Sequence, residues 1–194
     1  MFQTSASLLE RLAHSSDEQA WQRLVDLYQP LLYSWLNRHG LQATDAEDLV
    51  QAVLVVVVRE LPTFEHNHRP GAFRKWLRTI LSNRLRAFWK AQEHQPVAPG
   101  DSAFEETLKR LEDDQSGLSR LWDLEHNRHV VARLLEQIRS QVAPNTWLAF
   151  YKVALEEKAE ESVAAELGLS VNAVYIAKYR VLKCLRQEGR GLID

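Results

Sequence analysis

Apolar residues recur at spacings of three and four through most of this chain. Ala20, Leu24, Leu27, Tyr28, Leu31, Leu32, Trp35 and Leu36 form the stripe of an amphipathic helix. Ser16 with Asp17 predicts its start and Gly40 its end, and Pro30 predicts a kink or a split into two helices. A second helix is expected over residues 44–60, stopping before Pro62. Thr44 would cap it, with Glu47 three residues on as the partner in a capping box. Its run of β-branched residues at 53–58 also suits a strand, but the helical start and the lack of a partner strand favour a helix. A polar loop follows at residues 65–71. Then Phe73, Trp76, Leu77, Ile80, Leu81, Leu85 and Phe88 mark a third helix over 72–92. Four more helices are expected at 121–141, 144–155, 159–167 and 171–188.

Between these two groups, Pro96, Pro99, Gly100 and Gly117 flank an acidic stretch, so residues 94–117 read as a linker in which Leu108 and Leu111 could form a short helix. The fold class is therefore all-α: two small helical domains, 1–93 and 118–194, joined by an acidic linker. Only 7 Gly and 6 Pro in 194 residues disfavour a loop-rich β fold, and 45% hydrophobic residues allow a real core. The single cysteine, Cys184, permits no internal disulfide, as expected of a reducing compartment. The first thirteen residues lack a basic stretch followed by an apolar run. The longest apolar run, 53–58, falls far short of the roughly 20 residues of a membrane span. A cytoplasmic protein with no membrane partner is the expectation.

The formal net charge of −2 argues against a nucleic-acid binder until the pattern is resolved along the chain. Residues 69–90 hold seven basic residues (Arg69, Arg74, Lys75, Arg78, Arg84, Arg86 and Lys90) and no acidic one. Residues 178–190 hold five basic residues against one Glu. The first basic stretch is interleaved with Phe73, Trp76, Phe88 and Trp89. Cations track phosphates and exposed aromatics stack on unpaired bases, so the mixture suits single-stranded or melting DNA. Trp76, Phe73 and Ile80 also suit an ordinary core, and adjacent Phe88 and Trp89 cannot both face one.

The second basic stretch lies in a helix-turn-helix pattern. Ala164 is small, Gly168 supplies a left-handed turn residue and Ser170 can cap the following helix. On that helix Val174, Ala177, Val181 and Leu185 should face inward. Asn172, Tyr175, Lys178, Tyr179, Lys183 and Arg186 would be left for base edges and phosphates. A plain helical hairpin with a solvated basic face is the bland alternative.

The order of these parts resembles the small two-domain sigma factors of the extracytoplasmic-function group. Asp45-Ala46-Glu47-Asp48-Leu49-Val50-Gln51 looks like that family's polymerase-binding segment. Phe73 followed by Trp76-Leu77, with Ile80 and Asn83 behind it, looks like its strand-opening segment. The resemblance implies a protein that binds core RNA polymerase and promoter DNA, with no cofactor. Asp45, Asp48, Leu49 and Gln51 would contact the polymerase. Arg74, Lys75, Trp76, Asn83, Arg84 and Arg86 would contact the minus-ten element. Residues 65–71 would capture a flipped base. Ser170 and the outward set from Asn172 to Arg186 would read the minus-thirty-five element. An anti-sigma factor is a candidate partner, since the family often has one. The valine run at 55–58, Phe88-Trp89-Lys90 and the glycine-free stretch 156–159 depart from the family pattern and point to a divergent subgroup.

Two other classes compete. A metal-dependent hydrolase could use His66 and His68 with Asp45, Glu47 and Asp48, but no Glu-x-x-His pairing on facing helices accompanies them, and His126 and His129 read as surface residues. No metal site and no enzyme is expected. A helix-turn-helix repressor or activator, acting without the polymerase core, is the nearer rival; a sensor domain would not require the basic aromatic helix.

Overall fold

The computed structural model of the chain describes residues 8–14, 17–64, 71–92 and 101–193. Among these residues no β-strand occurs. The elements are α1 (Leu8–His14), α2 (Glu18–Arg38), α3 (Ala43–Glu60), α4 (Ala72–Gln92), α5 (Asp101–Glu112), α6 (Gly117–Gln141), α7 (Pro144–Ala154), α8 (Glu160–Leu167) and α9 (Val171–Glu188), with a 3-10 turn at Leu61–Thr63. Residues 8–130, joined by the stretch from Gly191, make one compact unit; residues 131–190 make another.

In the first unit the expected α2 stripe is wholly buried. Asp17 caps the helix, its carboxylate accepting from the Ala20 amide at 3.1 Å. Ser16 lies outside the described residues. Pro30 does not split the helix, which runs unbroken across it. Proline removes one ladder hydrogen bond, but buried side chains on both flanks hold the helix to a single packing face. After α2 the chain turns at Gly40, whose φ of +92° a glycine adopts without strain.

Helix α3 starts one residue earlier than expected. Gln42 is its N-cap and makes no side-chain cap bond, so Thr44 lies inside the first turn and the capping box does not form. Through the valine run, Val53, Leu54, Val56 and Val57 are buried while Val55 and Val58 are exposed. That is the period of a helix; a strand would alternate. Helix α4 matches its expected bounds and buries Phe73, Leu77, Ile80, Leu81 and Leu85.

The segment read as a linker contains α5, which packs on α4 and buries Leu108 and Leu111. Residues 93–100 lie outside the described residues. The first half of α6 then packs in the same unit. Trp122 stands edge-on to Trp35 at 5.5 Å, and both rings are fully buried. Burying a side chain of this kind contributes roughly 2–3 kcal/mol. His126 is buried and bonds Tyr28 Oη at 3.1 Å, and His129 Nε2 lies 2.7 Å from the Leu27 carbonyl. The expectation that these histidines are surface residues is thus wrong. Each finds its partner on a helix about a hundred positions away. The signal was present as a stripe at every fourth position: Leu118, Trp122, His126, Val130, Leu134 and Ile138 are all buried.

In the second unit α7, α8 and α9 pack on one another. Val163, Ala164, Val174 and Ala177 close around Ala149 and Val153; Ile138, Phe150 and Val181 form a second cluster. Gly168, at φ +65°, ends α8, and Ser170 Oγ accepts from the Ala173 amide at 3.1 Å to start α9. Ahead of α8, where the sequence lacks a glycine, Glu157 takes a left-handed φ of +55°.

Candidate functional site

Three surfaces carry the residues singled out from the sequence. The first is the start of α3. Asp48 and Gln51 are exposed and Asp45 is half-buried. Leu49 is only 4% exposed and packs in the core, so it supports this surface and does not offer a contact. Beside the carboxylates a groove of about 1030 Å³ runs between α2 and α3. It is lined by Val25, Pro30, Tyr33, Leu54, Val55 and Val58, with Glu47 and Gln51 at its acidic end and Arg59 as its cation. Val55 is 65% exposed, an unusual position for a valine in an otherwise well-buried helix.

The second surface is α4. Asn83 is exposed and accepts from Arg86 at 3.2 Å. Trp76 is half-buried, its ring 4.7 Å from Phe64 and 5.6 Å from Phe73, so it belongs largely to an aromatic cluster. Phe88 and Trp89 are both half-buried and lie edge to face at 5.4 Å. The cations are not bare. Arg74 Nε lies 3.0 Å from Asp123, and its Nη1 donates to Asn127 at 2.8 Å. Lys75 and Arg78 both donate to Asp114, and Arg78 also lies 3.5 Å from Asp123. Arg86 donates to Glu112. Arg78 is 4% exposed, and a buried guanidinium requires such partners. These ions hold the Asp114 carboxyl below its ordinary range, the Lys75 hydrogen bond foremost. Arg84, by contrast, makes no ion pair among the described residues. This covering of α4 by acids from 112–123 could not be read from α4 alone. The loop expected to capture a base spans residues 65–71; residues 65–70, with His66 and His68 among them, lie outside the described residues, and Gly71 is described.

The third surface is α9. Tyr175 and Tyr179 are 60% and 54% exposed, one turn apart, with Ile176 beside them. Asn172, Lys183 and Arg186 are exposed; Leu185 is half-buried. Lys178 is the exception to the outward set. It is half-buried and donates to Glu160 at 3.0 Å, which lowers the Glu160 pKa. The Ser170 hydroxyl is engaged as the helix cap.

Among the described residues no three His, Cys, Asp or Glu side chains group as metal ligands would. No described helix is long and apolar enough to cross a membrane.

Comparison with known proteins bears on the first two of these surfaces. No curated protein matches the chain. The family model of sigma-70 region 2 matches residues 24–95, a span that takes in most of α2, all of α3 and all of α4. The acidic α3 start and the cationic α4 therefore both fall inside one recognised module. Residues 24–95 are thus similar to region 2 of the sigma-70 factors, and the exposed acidic helix start and the cationic helix both lie within that similarity.

Proposed function

We propose that this chain is a small two-domain sigma factor of the extracytoplasmic-function type, acting in the cytoplasm. It binds core RNA polymerase, opens promoter DNA with α4 and reads the upstream element with α9. The observation that carries this reading is the region 2 match lying over an exposed acidic helix start and a cationic helix in succession. Asp45, Asp48 and Gln51 provide the charged part of the polymerase contact, and the apolar groove beside them suits the side chains of a partner helix. Asn83 and Arg84 offer a hydrogen-bonding amide and a cation for a separated strand. On α9, Asn172, Tyr175, Tyr179, Lys183 and Arg186 combine base-edge and phosphate chemistry, and the α8–α9 pair joined at Gly168 has the local design of a helix-turn-helix. No step of this work calls for catalysis by the chain or for a cofactor. An anti-sigma factor would be a natural inhibitor of the same groove.

Run-off transcription with core polymerase over a promoter library tests the reading. Specific initiation is expected with the chain and none without it. Asp48→Arg should weaken core binding by about thirtyfold, roughly 2 kcal/mol, with an unchanged melting curve. Asn83→Ala should reduce permanganate-reactive promoter opening more than it reduces core binding. A chain that bound duplex operator tightly as a dimer and ignored core polymerase would be the rival repressor or activator.

A further inference from the structure

The cations of α4 and the carboxylates that cover them come from stretches of opposite composition. Residues 69–90 contain no acidic residue; Glu112, Asp114 and Asp123 reach them from the end of α5, the following turn and the start of α6. The arrangement is multivalent, since Asp114 takes both Lys75 and Arg78, and Asp123 takes both Arg74 and Arg78. Carboxylates held by guanidinium groups occupy the same donor positions that phosphate oxygens would take. Two of the acids remain accessible: the side chains of Asp114 and Glu112 are 47% and 40% exposed. An incoming anion can therefore exchange with them on Lys75 and Arg86, whose side chains are 62% and 41% exposed, while buried Arg78 keeps its partners and the helix stays folded. The turn cannot drift away, because Trp122 anchors α6 in the core only eight residues after Asp114. Tethering keeps such a competitor at high effective concentration.

We propose that the acidic segment 112–123 is a built-in competitor of the promoter strand. It occupies the cations of α4 in the free chain and must be exchanged for phosphates when single-stranded DNA binds. This rests on the reading of α4 as the strand-opening helix. Free of polymerase, the chain would then hold single-stranded DNA weakly despite its basic stretch. Ion pairs already satisfied release few counterions when phosphates replace carboxylates, so the salt dependence of that weak binding would be shallow.

The test uses the full chain with a fluorescent single-stranded oligonucleotide, without polymerase, compared with an E112Q/D114N variant. A control, E105Q/E106Q, removes the same charge from α5, where among the described residues Glu105 pairs only with Lys109, in an exposed i,i+4 bridge. We expect the E112Q/D114N chain to bind about tenfold more tightly and with a salt slope steeper by about two. The control should stay within about twofold, because neither carboxylate pairs with an α4 cation among the described residues and exposed charges are screened by salt. E112Q alone removes a bridge on an exposed pair that does not endanger the fold, and should give about threefold. Equal affinity for E112Q/D114N and the control, or no gain with E112Q, would overturn the proposal. Run-off transcription separates the two readings. If the affinities are equal and core-dependent initiation persists, the competitor falls and the sigma factor stands. If the affinity gain appears and no chain initiates with core polymerase, the sigma reading falls while the internal competitor stands.

Discussion

Helices α4 and α9 are both basic, yet they present charge differently. On α4, Arg74, Lys75, Arg78 and Arg86 are tied to Asp123, Asp114 and Glu112. On α9, only Lys178 is drawn back, to Glu160. Lys183 and Arg186 stay exposed and make no ion pair among the described residues, and Tyr175 and Tyr179 are open beside them. Counting cations along a helix therefore measures its capacity for DNA, while the availability of those cations depends on acids that the fold brings from elsewhere. On the proposed reading, a duplex-gripping α9 can leave its charges out in water, while a strand-holding α4 would gain by being shielded until strands exist.

The strongest way to break this contrast is to remove what holds the shield in place. Trp122→Ala should destabilise the unit of residues 8–130 by about 3–5 kcal/mol, seen in denaturant unfolding, because it empties a fully buried ring position against Trp35. A loss under 1 kcal/mol would mean that α6 is not anchored there. Next in size, reversing two bare charges with Lys183→Glu and Arg186→Glu should weaken binding of upstream-element duplex by about thirtyfold, roughly 2 kcal/mol, and lower its salt slope by about two. An unaltered slope would show that α9 does not meet phosphates.

Smaller effects probe how the α8–α9 pair is held. Gly168→Ala should cost roughly 1–2 kcal/mol in thermal unfolding. An added Cβ meets nothing within 4 Å there, so the left-handed φ is the whole penalty. Glu157→Gly should do the reverse, by about 0.5 kcal/mol. Relief of the left-handed strain at φ +55° is partly offset by the greater freedom of glycine in the unfolded chain. The smallest effect concerns pH. The Asp114 carboxyl is held below its ordinary value of 3.8, so its contribution to stability is complete above that value and is lost as pH falls through the lowered one. Asp114→Asn should flatten the acid limb of a melting-temperature profile below pH 3.8 and leave its slope near neutrality unchanged.

Most of the helices were legible because their signals are local. The α2 stripe, the α4 bounds, the Gly168 turn and the Ser170 cap each depend on residues within a few positions of one another, where spacing and backbone preference act directly. The failures share a different cause. Thr44 had a better capping pattern than Gln42, yet α3 begins at Ala43 with Gln42 as its N-cap. Leu49 is grouped with Asp45, Asp48 and Gln51 by the resemblance, but the α2–α3 packing turns it inward with Ala46 and Val50. The acidic stretch after Gly100 looked like a tether because its glycines and prolines are local, whereas the partners of Leu108, Leu111 and Trp122 are not.

Helix content, the acidic start of α3 and the two basic helices thus follow from the amino-acid order alone, since periodicity, capping and charge runs are short-range properties. Which cations remain free, which histidines are buried and where residues 101–130 belong depended on packing between helices many positions apart. His126 and Tyr28 are 98 residues from each other, and Arg78 and Asp114 are 36. Coulombic and hydrogen-bond partners at such separations are chosen by the shape of the core that carries them, and no window along the chain contains both halves.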